Sequence, residues 1–258
     1  MIQKAHVGLG IVGKEGMQAS LAADFSIMQF SHLTKLLLWH GRLSYKRSCQ
    51  LAQFVVHRGM IISFIQAVFT IVYFFVTIPI YNGYLMLGYS TFYTTLPVFS
   101  LVLDEDVTYK KVMDYPALYV TLQKGRSMNF KTFLIWVWKS MAQGCTIMLV
   151  AITQFDQSFT NIVSITFTTL IFIEMLNVLT TVTKIKPLMI FSILLTLLIY
   201  FLSIIFFRGY FAVSYLDGTF LLKVGILTML CWLPIHLFKK IMEKCDPTQE
   251  QKIMKEAS

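Results

Sequence analysis

Charged side chains are scarce in this sequence: they make up 14% of its 258 residues, whereas apolar residues make up 56%. Soluble globular proteins carry about 25% charged residues. The mean hydropathy is +0.67, and the apolar residues gather in runs of about 20, the length that crosses a bilayer. The composition therefore predicts a membrane-embedded protein and excludes an ordinary soluble domain.

Acidic residues are also few, with 13 Asp and Glu against 22 Lys and Arg, which gives a formal net charge of +9. The basic residues lie between the apolar runs and do not form one continuous stripe. Such clusters are typical of cytosolic loops that face anionic lipid headgroups. We therefore expect the bilayer as a partner and no nucleic acid.

The sequence has only four cysteines, Cys49, Cys145, Cys231 and Cys245, and they form no C-x-x-C pair. This excludes a zinc-ligand pattern and a disulfide framework, and we predict no metal and no catalytic residue in this chain. Residues 8–13 read G-x-G-x-x-G, but no acid follows about 20 residues on, as a dinucleotide site requires. These glycines are predicted to serve packing and turns.

The apolar runs predict an all-α polytopic membrane protein with six transmembrane helices. Three hairpins are expected, with spans at about 51–76, 84–103, 131–153, 159–182, 188–207 and 219–238. Lys and Arg lie before span 1, between spans 2 and 3, between spans 4 and 5, and after span 6, so the positive-inside rule places both termini in the cytosol. The predicted membrane domain is 49–242, followed by a cytosolic tail at 243–258.

The first 48 residues have the composition of a soluble α/β fragment. Ala5–Ile11 predicts a short buried strand, Gly16–Ala23 a helix, and Phe30–Trp39 an amphipathic stretch. One strand and one helix cannot bury a core by themselves. This segment is therefore expected to be the remnant of a domain that needs a partner.

Polar residues inside the first two predicted spans are candidate binding groups. Arg58 lies about 15 Å beyond Ser48 if the chain is helical; a cation at that depth marks a substrate or ion path, and the alternative is an interfacial Arg whose side chain reaches the headgroups. Pro97 frees backbone carbonyls near the hydroxyls of Ser90 and Thr94, which predicts either a polar kink or an ordinary structural proline.

Glu174 is the only acid deep in a predicted span, and Asn177 lies one turn further on the same face. The pair predicts a polar intramembrane site, either a proton or ion ligand or a packing contact between helices. The acidic run Asp104–Asp106 is expected to be a solvated helix end.

Two segments carry a resemblance to a known family. GKEGMQASLAADFS at 13–26 and LLLWHGRLSYKRS at 36–48 resemble the type-IV P-type ATPases, the phospholipid flippases. His57-Arg58-Gly59 and Pro97–Asp104 look like the monomeric subclass, which works without an accessory subunit. The resemblance implies that the six spans are the last six of ten, preceded at 1–48 by the end of the phosphorylation domain.

The resemblance also assigns roles. Arg58, Ser90, Thr94 and Pro97 would line or support the lipid path. The coupling linker between the phosphorylation domain and the membrane would contain Lys14, Gly16, Asp24, Gly41 and Arg42.

For the complete protein, the resemblance implies ATP and Mg²⁺ as cofactors, neither bound by this chain. It also implies movement of an aminophospholipid from the lumenal to the cytosolic leaflet, in the trans-Golgi network or endosomes, together with an N-terminal portion that is not in this sequence. A stand-alone six-span channel or carrier and a non-catalytic short regulatory form are the alternatives.

Overall fold

The structure, a computed structural model, describes residues 2–13, 18–122, 128–154, 158–206 and 218–245. The chain divides into two compact units. The first contains Met1–Lys46 and Val107–Arg126, and the second contains Arg47–Asp106 and Ser127–Glu256.

The first unit begins with a small β-α-β arrangement. Strand β1 (Leu9–Ile11) pairs in parallel with β2 (Phe25–Ile27), and helix α1 (Gln18–Leu21) connects them. A Cβ at Gly10 would lie 2.7 Å from the carbonyl oxygen of Ala19, so only glycine permits this approach of helix to strand. This contact agrees with a packing role for the glycine, and the sequence prediction did not include β2.

The rest of the first unit is helical. Helix α2 (His32–Lys35) continues into a π-helical turn at Leu36–Gly41. Helix α6 (Tyr109–Asp114), followed by a 3₁₀ turn at Pro116–Thr121, packs beside this turn. The rings of Trp39 and Tyr109 meet edge to face with centroids 5.7 Å apart, an arrangement that aromatic quadrupoles favour.

Six helices of the described chain are long and apolar enough to cross a membrane, as predicted. Span 1 is α3 (Arg42–Val72). Span 2 is interrupted and consists of α4 (Gly83–Gly88), a π-helical turn (Tyr89–Tyr93), α5 (Thr95–Ser100) and a 3₁₀ turn (Leu101–Leu103). Spans 3 to 6 are α7 (Phe130–Gln154), α8 (Phe159–Thr181), α9 (Pro187–Phe206) and α10 (Gly218–Cys245).

The helix ends differ from the predicted span ends mainly at two places. Helix α3 begins at Arg42, whereas the predicted span begins at 51, and α10 continues to Cys245, beyond the predicted 238. Both extensions are rich in Lys and Arg. Hydropathy measures where apolar residues end, and a helix can continue into polar surroundings because its backbone hydrogen bonds are internal.

Helix α8 forms the centre of the second unit. In its most apolar window 83% of the residues are buried, against 28% in the corresponding window of α9. The helix carries several Ser and Thr residues. The hydroxyl of Thr166 donates to the Ile162 carbonyl, and that of Thr168 donates to the Ser164 carbonyl, each at 2.7 Å. Because these hydroxyls are satisfied within the helix, neighbouring helices can pack closely against it.

A glycine sets the distance between spans 1 and 3. A Cβ at Gly144 of α7 would lie 2.8 Å from the carbonyl oxygen of Ile61 and 2.8 Å from Cβ of Phe64. Small residues at such crossings let two backbones approach in the membrane. The neighbouring polar side chains of α3 and α7 are thereby held close enough to bond.

Span 1 ends in a strained turn. Phe74 and Phe75 adopt positive φ values of 54° and 61°, which is uncommon for large side chains. The amide oxygen of Gln66 accepts from the Ile80 backbone at 2.9 Å and its nitrogen donates to the Ile78 carbonyl at 3.2 Å. Gln66 therefore fixes the returning chain against span 1 before span 2 begins.

Candidate functional site

The Arg58 side chain of span 1 contacts the interrupted part of span 2. Its Nη1 atom donates to the Thr94 hydroxyl at 2.6 Å and lies 3.5 Å from the Ser90 carbonyl. Three of the four residues that sequence reasoning assigned to a lipid path, namely Arg58, Ser90 and Thr94, therefore lie together. The Arg58 side chain is partly exposed, so part of the guanidinium remains available for another ligand.

Span 2 is interrupted just before Pro97. Proline has no N–H, so the carbonyl four residues earlier in an α-helix loses its donor. The turn before it is π-helical, and the hydroxyls of Thr94 and Thr95 donate to the carbonyls of Tyr89 and Ser90 at 2.6 and 2.8 Å. These hydroxyls satisfy carbonyls that the irregular turn leaves without a regular backbone donor. Pro97 itself is buried.

A buried hydrogen-bond network links spans 1, 3 and 4 beside Arg58. Asn177 donates from Nδ2 to Nε2 of His57 at 3.2 Å and to the Gln143 amide oxygen at 3.1 Å, and Gln143 donates back at 3.3 Å. Nδ1 of His57 lies 2.6 Å from the Ser140 hydroxyl, which donates to the Trp136 carbonyl at 2.8 Å. With Nε2 as acceptor, Nδ1 carries the proton and His57 is neutral.

This network is a polar contact between helices. His57, Ser140, Gln143 and Asn177 are all at most 1% exposed, and their hydrogen bonds run mainly to one another. For Asn177 the structure therefore favours the packing interpretation. Sequence reasoning missed His57, Ser140 and Gln143, although amide and hydroxyl residues in an apolar span are a usable signal of helix contacts.

Glu174, one turn before Asn177, has a different environment. It is 1% exposed, and neither carboxylate oxygen has a hydrogen-bond partner. The Tyr89 hydroxyl from the π-helical turn of span 2 faces the carboxylate, but it too lacks a partner with hydrogen-bond geometry. The charges of Lys139 and Arg58 act on Glu174 from a distance. The carboxylate thus lies in a closed site with unused hydrogen-bonding capacity.

The acidic run after span 2 is ordered and partly buried, and the prediction that it is solvated is wrong for Asp104. This residue is 5% exposed, and its carboxylate accepts from the backbone nitrogens of Thr183 at 3.0 Å and Lys184 at 3.1 Å. Arg47 donates from Nε to the Asp104 carbonyl at 2.7 Å. Asp104 therefore ties the start of span 1 to the connection between spans 4 and 5.

Glu105 adds charge pairs to the same region. Its carboxylate lies 3.0 Å from Nζ of Lys186 and 3.9 Å from Nη2 of Arg47. Hydropathy could not reveal this arrangement, because it depends on which loops meet at the membrane surface.

The residues assigned to the coupling linker are only partly described. Lys14 and Gly16 lie outside the described residues. The Asp24 carboxylate accepts from the Gly8 backbone at 2.7 Å and so closes the turn before β2. Gly41 ends the π-helical turn, and Arg42 begins α3 with a fully buried side chain.

Within the described ranges no group of three or more His, Cys, Asp or Glu side chains could hold a metal ion. The polar sites of the described membrane unit include the Arg58 site, the Asn177 network, the Glu174 site and the Asp104 cluster.

Comparisons with known proteins give a consistent result. The family model described as phospholipid-translocating P-type ATPase C-terminal matches residues 20–248. The probable phospholipid-transporting ATPase IIB of Danio rerio is 50% identical over 254 residues, which cover 98% of this chain and 23% of that protein. The probable phospholipid-transporting ATPase tat-5 of Caenorhabditis elegans is 48% identical over 98% of this chain and 24% of its own length.

A yeast relative is more similar over a shorter segment. The phospholipid-transporting ATPase NEO1 of Saccharomyces cerevisiae is 60% identical over 149 residues, which cover 58% of this chain and 13% of that protein. The chain spans roughly a quarter of the length of the first two relatives, 23% and 24%.

Proposed function

Because the chain belongs to the phospholipid-translocating P-type ATPases, we propose that it is the membrane portion through which such an ATPase moves a phospholipid between the two leaflets. The resemblance at residues 13–26 and 36–48 is confirmed at the level of the family. We propose that ATP hydrolysis, with its Mg²⁺, takes place in the part of the complete protein that corresponds to the remaining length of the relatives.

The contact between Arg58 and the interrupted span 2 carries the proposal. A cation inside a membrane domain is costly and marks a pathway for polar groups. A guanidinium offers five N–H donors in a fork that matches phosphate oxygens. One N–H group of Arg58 donates to the Thr94 hydroxyl. Other N–H groups of the guanidinium can donate to the phosphate of a lipid on the path.

The interruption of span 2 supplies a second property of a lipid path. Next to its π-helical turn, the Thr94 hydroxyl and the Ser90 carbonyl lie against Arg58, and the Thr95 hydroxyl donates to the same carbonyl. A lipid headgroup needs such polar partners to cross the apolar layer. We therefore propose that Arg58, Ser90 and Thr94 line the path and that Pro97 keeps span 2 interrupted.

We also propose finer features of the function, for which the family membership is the support. We propose that the lipid is an aminophospholipid, that it moves from the lumenal to the cytosolic leaflet, and that no accessory subunit is required. The positions of Lys and Arg support cytosolic termini, and the trans-Golgi network or endosomes are the proposed compartment. Residues 13–48 would carry movements of the phosphorylation domain into span 1.

A segment exchange tests the proposal. This chain replaces the corresponding segment of the Danio rerio relative, with which it shares 50% identity, and the chimera is reconstituted in liposomes with ATP, Mg²⁺ and fluorescent phospholipids. We expect ATP-dependent phospholipid transport, its loss in Arg58→Gln, and its retention in Lys184→Gln, which removes an exposed loop cation. Transport that is equal in both variants would contradict the role of Arg58.

A further inference from the structure

We propose that Glu174 of span 4 is a second headgroup contact, and that its carboxylate binds the ammonium group of an aminophospholipid whose phosphate lies on Arg58. This inference rests on the proposed function and adds to it the residue that distinguishes amine-bearing lipids from other phospholipids.

The first observation is the unused hydrogen-bonding capacity of a buried carboxyl group. Both side-chain oxygens of Glu174 lack a partner although the residue is 1% exposed. Burying a polar group without hydrogen bonds is unfavourable, and more so when the group is charged. The adjacent Asn177 shows the contrasting case, because its amide is bonded on both sides. Packing between helices therefore does not explain why the Glu174 carboxyl group is buried at this position.

The second observation is the neighbouring hydroxyl of Tyr89. Its side chain is 2% exposed, and its oxygen also lacks a hydrogen-bond partner while facing the carboxylate. The two carboxylate oxygens are acceptors, and the phenolic oxygen beside them can accept as well as donate. A primary ammonium group has three N–H donors and no acceptor, so its chemistry matches this set.

The surrounding cations do not occupy these acceptors. Lys139 and Arg58 act on Glu174 electrostatically, yet neither hydrogen-bonds to it. The Lys139 ammonium lies 4.9 Å from the ring centroid of Trp136, a cation–π contact. These two charges offset the negative charge of Glu174 at a distance and leave its oxygens available for a bound cation.

The arrangement of the two sites matches a headgroup that carries both charges. Tyr89 and Thr94 bound the π-helical turn of span 2: the Thr94 hydroxyl donates to the Tyr89 carbonyl and accepts from Arg58. The cation for the phosphate and the anion for the amine are therefore linked through one turn of span 2. Since Glu174 is buried, the headgroup enters by displacing the Tyr89 side chain, which belongs to the π-helical turn of that span.

Lipid binding to the purified 258-residue chain tests this inference without requiring ATP hydrolysis. The probes are dioleoyl-phosphatidylethanolamine, dioleoyl-phosphatidylcholine and dioleoyl-phosphatidylglycerol, which share acyl chains and phosphate, with dioleoylglycerol as the lipid that lacks phosphate. The bound fraction of each is measured by native mass spectrometry from detergent micelles. The variants are Glu174→Gln, Tyr89→Phe and Arg58→Gln, with Glu243→Gln as the control that removes an exposed acid.

We expect the wild-type chain to prefer phosphatidylethanolamine over phosphatidylglycerol by about tenfold, the effect of one charged hydrogen-bonded contact. Phosphatidylcholine, whose trimethylated nitrogen has no N–H, is expected to lack this advantage. Glu174→Gln should remove the preference while binding of phosphatidylglycerol stays at least as strong, and Tyr89→Phe should reduce it. Glu243→Gln should behave like the wild type.

The outcomes separate the two proposals. If Glu174→Gln keeps the wild-type ratio of phosphatidylethanolamine to phosphatidylglycerol, the ammonium site is refuted, and a loss of both lipids in Arg58→Gln would still support the phosphate contact. If the wild type binds the phospholipids no better than dioleoylglycerol and Arg58→Gln changes nothing, the proposed lipid path itself fails. Tyr89→Phe keeps the charge of the site, so its effect remains interpretable if Glu174→Gln folds poorly.

Discussion

The Arg58 guanidinium donates to the Thr94 hydroxyl at 2.6 Å, and the same hydroxyl donates to the Tyr89 carbonyl at 2.6 Å. One small side chain thus satisfies the interrupted backbone of span 2 and holds the cation of span 1. Removing the hydroxyl leaves a carbonyl and a charged group without their partner, while the shape of the site is unchanged.

Thr94→Val is therefore expected to destabilise the membrane unit by about 1–2 kcal/mol, the range for hydrogen bonds between membrane helices. Thr94→Ser keeps the hydroxyl and should retain most of the stability. Thr91→Val makes the same exchange at an exposed position and should have little effect. Unfolding in mixed micelles of increasing SDS content measures all three, and equal values for Thr94→Val and Thr91→Val would contradict the structural role of the contact.

The crossing of spans 1 and 3 gives a second prediction. Gly144→Ala places a Cβ 2.8 Å from the Ile61 carbonyl oxygen, so the backbones must separate, at a cost of about 1–3 kcal/mol. Gly59→Ala adds the same methyl group to span 1, where nothing lies within 4 Å of it. That control should be neutral or stabilising by up to about 1 kcal/mol, because alanine favours a helix.

Thermal unfolding in detergent compares the two alanine variants directly. A stable Gly144→Ala variant with unchanged unfolding temperature would show that spans 1 and 3 do not meet as closely as the structure has them.

The sequence predicts the membrane spans better than the contacts among them. Six spans follow from apolar runs, since burial in lipid requires long uncharged segments whatever their tertiary arrangement. The bonds from the Thr94 and Thr95 hydroxyls to backbone carbonyls also agree with reasoning from Pro97, because a proline and nearby hydroxyls act within one or two helix turns. The grouping of Arg58 with Ser90 and Thr94 was expected only from the resemblance to the family. The π-helical turn between α4 and α5 has no signal of comparable strength.

The sequence does not predict which distant segments of the chain contact each other. His57 and Asn177 bond across 120 positions, and Asp104 and Thr183 across 79. Nothing in the local pattern distinguishes an acid that caps another loop from one that faces water. The sequence alone therefore predicts that Asp104 faces solvent, and it does not identify the partner of Asn177.

The buried network around Asn177 yields a third prediction. Asn177→Leu leaves His57 and Gln143 with unsatisfied polar groups and should destabilise the protein by about 1–2 kcal/mol. Adding Gln143→Leu removes one of these orphaned groups, so the double variant should lose less stability than the sum of the two single variants. Unfolding by SDS measures the coupling, and strictly additive values would contradict the bonded pair.

The Asp104 cluster predicts a local effect at the membrane surface. Asp104→Ala removes the acceptor of the Thr183 and Lys184 backbone nitrogens and should cost about 1.5–3 kcal/mol, as for hydrogen bonds to charged groups. Hydrogen exchange at these two amides should accelerate. Asp114→Ala, at an exposed acid, serves as the control. Unchanged exchange in Asp104→Ala would mean that the carboxylate does not hold this connection.

The topology of the chain can be tested at Cys245, the exposed cysteine at the end of α10. Because Lys239, Lys240 and Lys244 precede it, the positive-inside rule places it in the cytosol. A membrane-impermeant maleimide should therefore label Cys245 in sealed microsomes whose cytosolic face is outward, before detergent is added. Cys49 and Cys231 are buried and should react slowly, so Cys245→Ser should remove most of the labelling. Labelling only after permeabilisation would place this end of span 6 in the lumen and would reverse the proposed orientation of all six spans.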